Sequence, residues 1–410
     1  MCPSQTIDTR RRLFHIRWIM KAAEIAGNVY WVGAIDWNIR SFHGYSTPRG
    51  STYNAYLIKG DTNVLIDTVK RPFFDQMVSR ISSVLDPKEI DLIISNHVEM
   101  DHSGSLVPAQ NLTGAKILAS KRGVEGLALH HDGLEIEAVE DGQELRIGDR
   151  VLRFIETPML HWPDSMFTYL VEDKILFSMD GFGQHLASSK RFDDEVDKDV
   201  LMYEAAKYYA NILMPFGGQV LKTFEKVKDV DIKMLATSHG VIWRKDLNGI
   251  INAYLSWAKG ETKEKAVVVY DTMWGSTQKM AEAIVDGIAS EGVETRPHKL
   301  SDSDRSEVMK DVLEARAVVV GSPTLNNGMF PTVADFVTYM RGLRPKGKKG
   351  AAFGSFGWGG GAVKALRENL EKAGLVLSSE DLEMRYVPKE EEILKCFEYG
   401  QKIGKEIKGS

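Results

Sequence analysis

Ser95-Asn96-His97-Val98-Glu99-Met100-Asp101-His102-Ser103-Gly104 puts four metal-ligating side chains into six residues, directly after the apolar run 90–95. That run reads as a strand buried on both faces. A strand end that opens into an irregular loop can aim several side chains at one point. A single buried His or Asp is more often structural than ligating. Four in one tight loop are costly unless something pairs them, so the cluster predicts a bound cation.

Three further candidates lie downstream. His161 sits in Leu160-His161-Trp162-Pro163-Asp164-Ser165, Asp180 in Phe177-Ser178-Met179-Asp180-Gly181, and His239 in Thr237-Ser238-His239-Gly240. Asp180 and His239 again follow apolar, strand-like runs, the placement that a shared site needs. The full donor set is four His and three carboxylates, enough for two metals sharing one bridge. Imidazole-rich sets suit zinc, whereas added carboxylate favours a harder, redox-active ion such as iron. The two cysteines, Cys2 and Cys396, cannot build a four-cysteine zinc site or an iron–sulfur cluster.

Outward from the cluster, residues 29–257 are strand-rich. Runs at 54–58 and 64–67 flank the turn Lys59-Gly60-Asp61, further strands are expected at 151–155 and 174–178, and a helix at 200–212. The charged stretch 258–265 reads as a linker. Beyond it, strands at 266–270, 317–320 and 350–353 alternate with helices at 278–290, 333–341 and 362–373, the pattern of a doubly wound parallel sheet.

Each of those strands ends in a loop suited to a ligand. The first carries Thr272, Met273, Trp274, Gly275, Ser276 and Thr277; the second Ser322, Pro323, Thr324, Asn326, Asn327 and Gly328; the third Ser355, Phe356, Gly357, Trp358, Gly359 and Gly360. Ligands of open α/β sheets bind outside such carboxyl ends. Hydroxyls and backbone N–H groups at a strand-to-helix turn bind phosphate, and Trp358 can stack on a flat ring. No Lys follows Gly275 as in a nucleotide triphosphate loop, and the Gly-x-Gly-x-x-Gly of a dinucleotide fold is missing.

Length and composition set the outer bounds. At roughly 150 residues per domain, 410 residues make two or three domains. Hydrophobic residues at 43% exclude a disordered chain, and a net charge of −5 without a basic block argues against a nucleic-acid partner. No apolar stretch approaches 18 residues, so no membrane partner is expected, and the scarcity of cysteine points to the cytoplasm. Arg10-Arg11-Arg12 precedes a run too short and too charged for a signal peptide. Residues 1–19 are expected to be a disordered extension without targeting function, with Met20 as an alternative start.

The ligand loop resembles the His-x-His-x-Asp-His motif of the metallo-β-lactamase superfamily, with Glu99 at the second position. The loop 272–277 resembles the flavodoxin phosphate loop Ser/Thr-x-Thr-Gly-x-Thr, with Trp274 in place of the middle Thr. Together with Ala34-Ile35-Asp36-Trp37-Asn38, Phe42-His43-Gly44-Tyr45 and Thr52-Tyr53-Asn54-Ala55-Tyr56, the chain from about 29 to 407 is similar to the flavodiiron proteins, or A-type flavoproteins.

That resemblance implies a metallo-β-lactamase-like αββα domain at 20–260 followed by a flavodoxin-like doubly wound parallel sheet at 261–410. It implies two Fe ions per chain, one held by His97, Glu99 and His161 and the other by Asp101, His102 and His239, with Asp180 bridging. It implies FMN in the three loops, and a substrate pocket lined by His43, Tyr45 and Tyr208. The family reduces O2 to water, NO to N2O, or both; O2 is the favoured reading, with NO second. A diferrous pair and reduced FMN each supply two electrons, the four that full O2 reduction takes. No pair of Cys-x-x-Cys motifs is present, so the electrons are expected from an external donor, rubredoxin or reduced coenzyme F420. The expected assembly is a head-to-tail homodimer or a homotetramer. Two other readings are a zinc-dependent hydrolase fused to a flavodoxin module, against which Glu99 argues, and an electron carrier with a dead metal site, against which the seven intact ligand positions argue.

Overall fold

Alternation along the strand Lys263–Tyr270 shows how the second half of the chain is built. Val267 and Val269 enter one core, while Ala266, Val268 and Tyr270 enter another on the opposite face. A strand buried on both sides must lie inside a covered sheet. In the computed structural model, which describes residues 20–378 and 380–409, it does. The strand order is Glu294–Lys299, Lys263–Tyr270, Ala315–Leu325, Lys349–Phe356 and Val376–Leu377, all parallel, with Leu382–Arg385 also pairing the fourth. Helices Arg305–Glu314, Pro331–Leu343 and Ala362–Lys372 cover one face, and Ser276–Ser290 with Glu390–Lys408 the other. The expected disordered extension at 1–19 lies outside the described residues.

The first half is a four-layer sandwich. A seven-stranded sheet runs Ala23–Ala26, Val29–Trp31, Tyr56–Ile58, Val64–Ile66, Leu92–Ser95, Lys116–Ser120, Ile136–Val139. A five-stranded sheet runs Glu144–Ile147, Arg150–Glu156, Met166–Leu170, Ile175–Met179, Met234–Thr237. One apolar core, with Ile94 and Leu118 from the first sheet and Phe154 and Phe177 from the second, fills the space between them. Helices Phe74–Ile81, Leu106–Thr113 and Lys121–His130 cover the outer face of the first sheet. Lys198–Tyr208, Gly217–Val227 and Leu247–Lys259 cover that of the second. This is the expected αββα order.

Two local expectations are corrected. The linker is not 258–265. Helix Leu247–Lys259 ends on Gly260 in the left-handed conformation (φ 71°), and the next strand opens at Lys263, leaving only 260–262 between. Lys263 and Lys265 are exposed in sequence character but paired in space: Lys263 reaches Glu314 at 2.8 Å and Lys265 reaches Asp311 at 2.7 Å. The helix expected at 200–212 is α-helical only over Lys198–Tyr208 and widens into a π-turn at Tyr209–Leu213. There Asn211 donates both to Lys207 O at 2.8 Å and to Ser306 O of the second domain at 3.0 Å.

Candidate metal centre and flavin cleft

All three ligand-bearing strands of the sandwich point their C-terminal ends at one place. Leu92–Ser95 releases His97 and Glu99 and then the short helical turn Met100–Ser103, which carries Asp101 and His102. Ile175–Met179 releases Asp180, and Met234–Thr237 releases His239. His161 comes from the loop between Arg150–Glu156 and Met166–Leu170. The backbone bends sharply around Asp180, with Met179 and Phe182 in the left-handed region (φ 49° and 65°), a cost that clusters at functional sites.

The seven side chains form two groups. His97, Glu99, His161 and Asp180 offer ligand atoms within 4.8 Å of one another, and so do Asp101, His102 and His239. Asp180 divides its two oxygens between them. Its Oδ2 lies 3.2 Å from His161 Nε2 and 3.6 Å from His97 Nε2, whereas its Oδ1 lies 3.2 Å from His102 Nε2 and 3.4 Å from His239 Nε2. Glu99 Oε2 completes the first group at 3.3 Å from both His97 and His161. Asp101 completes the second at 3.1 Å from His239 and 3.4 Å from His102.

These residues fit metal ions better than they fit one another. Both oxygens of Asp101, both ring nitrogens of His102 and Asp180 Oδ1 are buried without a hydrogen-bond partner, although the groups stand close. Their contacts are misaligned for hydrogen bonds because the lone pairs converge on shared points. Unpaired buried carboxylates are too costly to keep without a counter-ion, and a mixed imidazole–carboxylate set is an iron-type donor set.

The surroundings fix ring orientation. His97 Nδ1–H donates to Asp164 Oδ2 at 2.9 Å, and Val98 N–H donates to the same oxygen at 2.8 Å. His239 Nδ1–H donates to Thr52 O at 2.6 Å. Each bond leaves the Nε2 lone pair facing the cluster, the usual outer support of a ligating imidazole. Burial lowers the affinity of His102 for a proton, yet Asp101 and Asp180 carry its pKa up to about 9. Burial works against ionisation of Asp180, but His102 and His161 hold its carboxyl well below the usual range.

His43 stands at the mouth, where its Nε2–H donates to Glu99 Oε1 at 2.8 Å. The Tyr208 ring lies 6.0 Å from that of His239, and Tyr45 stands one layer behind, 5.2 Å from His185. Burial pushes both phenols far above their ordinary pKa, so both keep their protons. Sequence reasoning missed His185 and Asp164. His185 is fully buried between His239 and Tyr208, at 4.9 Å and 5.1 Å, with Nδ1 on Ser51 Oγ at 2.7 Å and Nε2 unpartnered. Its place five residues after Asp180 was the only sequence cue.

The second site is a cleft of about 630 Å³ at the carboxyl edge of the parallel sheet, lined from all three predicted loops. Thr272, Met273, Trp274, Ser276, Pro323, Thr324, Asn326, Asn327, Ser355, Phe356, Gly357, Trp358 and Gly359 border it, with Leu325, Tyr386 and Val387 added by the structure. Of the other predicted residues, Thr277 is buried and shares a hydrogen bond with Ser355 Oγ at 2.9 Å, and Ser322 Oγ accepts from Phe330 N at 2.9 Å. Gly275 (φ 86°) forms the turn that opens helix Ser276–Ser290, while Gly328 and Gly360 stand back from the cleft. Trp274 and Trp358 are 93% and 92% exposed, free to flank a planar ring.

A buried two-metal carboxylate–histidine centre joined to a flavodoxin fold defines a flavin-linked non-haem metal oxidoreductase. Comparison with known proteins carries this further. Residues 52–240 match the ODP family beta lactamase model and residues 268–400 the flavodoxin model. The nitric oxide reductase of Moorella thermoacetica is 48% identical, covering 93% of this chain and 98% of that one. The coenzyme F420H(2) oxidase of Methanothermobacter marburgensis is 45% identical, covering 95% and 100%. Among solved structures, rubredoxin oxygen:oxidoreductase of Desulfovibrio gigas superposes with a TM-score of 0.93 at 37% identity, covering 95% of this chain and 99% of that one. The flavodiiron protein of Giardia intestinalis superposes with a TM-score of 0.92 at 39% identity, covering 95% and 97%. The chain belongs to the flavodiiron proteins, and its cofactors are a pair of irons and FMN. Membership in a family of oxidoreductases removes the hydrolase and dead-site readings.

Proposed function

We propose that the protein reduces O2 to water and NO to N2O at the metal centre, with electrons arriving through FMN from a separate donor. The observation that carries this reading is the division of Asp180 between two ligand groups. His97, Glu99 and His161 would hold one iron and Asp101, His102 and His239 the other, with Asp180 shared between the two groups. When bound, the irons supply redox equivalents and Lewis-acid positions for a diatomic substrate. The chain's own residues do the rest. His43 steadies Glu99 through its Nε2–H. Neutral Tyr208 and Tyr45 keep O–H donors near the pocket, and His185, held neutral by burial and by His239, adds an imidazole that does not repel the metals.

The named activities of similar proteins support both substrates: nitric oxide reductase in one, oxygen reduction in another. They likewise support rubredoxin or reduced coenzyme F420 as donor. A head-to-tail homodimer, alone or paired into a tetramer, is the assembly we propose. Exposed Met100, between Glu99 and Asp101, and exposed Trp274 and Trp358 at the flavin cleft are apolar surfaces of the kind that such a contact covers. No helix among the described residues is long and apolar enough to cross a membrane, and we propose a cytoplasmic location. Metal and flavin analysis of protein purified without oxygen tests the reading. About two irons and one FMN per chain are expected; zinc in place of iron, or no flavin, would overturn it.

A further inference from the structure

The hairpin that carries His43 joins neither sheet of its own domain, which holds it through ring packing instead: Phe42 lies 5.0 Å from His185 and buried Tyr45 5.2 Å from it. Its strands, Ser41–Phe42 and Tyr45–Ser46, pair only with each other, through Ser41–Ser46 and Phe42–Tyr45. An isolated two-stranded hairpin is marginal in water. The turn residues His43 and Gly44 both have positive φ (52° and 79°), as a tight two-residue connection requires. That suits Gly44 but strains His43. Yet this strained tip sets a hydrogen bond to Glu99, a member of the ligand cluster.

Further, polar support comes from the other domain of the same chain. Ser46 N–H donates to Ser306 Oγ at 3.0 Å, and Ser46 Oγ donates to Asp304 Oδ1 at 2.9 Å. Asp304 is also the N-cap of helix Arg305–Glu314, accepting from Ser306 N at 2.8 Å, so one carboxylate starts the helix and grips the hairpin. The Arg305 guanidinium lies against Gly44, near its carbonyl oxygen at 3.4 Å, and a Cβ on Gly44 would meet it at 2.8 Å. Asp335 fixes that guanidinium through bonds of 2.6 and 2.8 Å. From beneath, buried Lys207 donates to Ser46 Oγ at 3.1 Å and pairs with Glu307 of the same helix.

We propose that the first turn of helix Arg305–Glu314 is a clamp for the metal pocket of its own chain, with Asp304, Arg305 and Ser306 as positioning residues that set where His43 meets Glu99. The flavodoxin domain then has a second task, independent of its cofactor: it shapes the mouth of the metal pocket in its own chain, whereas in the proposed head-to-tail dimer its electrons go to the partner's. The proposal rests on the reading of that pocket given above.

The test uses the full chain carrying Ser306→Ala, with Arg305→Ala as a second variant should the first fold poorly. In metal-free protein, amide exchange at Ser46 should quicken at least tenfold while the midpoint of thermal unfolding stays put. In loaded enzyme, turnover of NO or O2 should fall several-fold while the donor reduces the flavin at the parental rate. On a His43→Ala background, Ser306→Ala should have no further effect, because only a residue acting through His43 loses its effect when His43 is gone. Unchanged exchange overturns the clamp, and so does an equal loss of turnover on both backgrounds. Faster exchange in a protein whose parent turns over neither gas keeps the clamp and overturns the function assigned to the pocket.

Discussion

In the centre we propose, Asp180 is the residue on which both metal positions would depend. A terminal ligand such as His102 can be replaced by water, but a carboxylate with one oxygen in each group cannot. Asp180→Ala is therefore expected to lower iron content at both positions and to abolish turnover, while His102→Ala retains more of both; anaerobic metal analysis with parallel NO and O2 assays checks the order. Six of the seven cluster residues could be paired with a strand end or with the dense loop from the sequence, since a run such as Ile93-Ile94-Ser95-Asn96-His97 announces both a buried strand and its exit. His161 came only with its neighbourhood motif. His185 escaped because one His beyond an Asp has no spacing signature, and its task of facing His239 and Tyr208 exists only once three distant segments meet.

At the scale of elements, the Rossmann-like half was read well because its central strands are uniformly apolar and its helices amphipathic. Failures came where charge hid pairing. Lys265 looked like linker, but it and His298 from the neighbouring strand both contact Asp311 on helix Arg305–Glu314, at 2.7 and 2.9 Å. Burial opposes ionisation of Asp311, yet His298 and Lys265 hold its carboxyl well below the usual range. A depressed carboxylate stabilises the fold above its unfolded pKa, and that contribution disappears as pH falls through the folded value. Asp311→Asn should cost about 2 kcal/mol near neutrality. The gap from the parent should shrink in the acid range, below about pH 4, as denaturant titrations at neutral and acid pH would show. The terminal helix Glu390–Lys408 was missed for another reason. Its buried face Cys396, Tyr399, Gly400, Ile403, Gly404 and Ile407 has helical spacing, but two glycines weaken the helix signal. They are there for contact: a Cβ on Gly400 would meet Ile284 O at 2.3 Å.

For the whole molecule, the order of the two domains was legible and their mutual contact was not. Lys207 and Glu307, or Tyr339 and Asn211 at 2.8 Å, are joined across a hundred positions or more, and no local pattern marks such pairs. The proposed head-to-tail dimer belongs to this scale. A chain lacking metal ligands (His97→Ala with Asp180→Ala), mixed with one altered at Thr272, Ser276 and Thr277, should regain activity in verified heterodimers. One of their two composite sites then holds both cofactors. Inactive heterodimers from folded parents would place electron transfer within a single chain.

The brevity of segment 260–262, set beside the bonds from Ser46, Lys207 and Asn211 to Asp304, Ser306 and Glu307, has a consequence for how the two halves came to share a gene. These contacts lead us to expect that the halves adhere through their surfaces even without the covalent join. Produced as two polypeptides separated at Glu261, they should co-elute on size exclusion as one complex. What fusion adds is a fixed copy number: each metal-centre domain is made together with one flavodoxin domain.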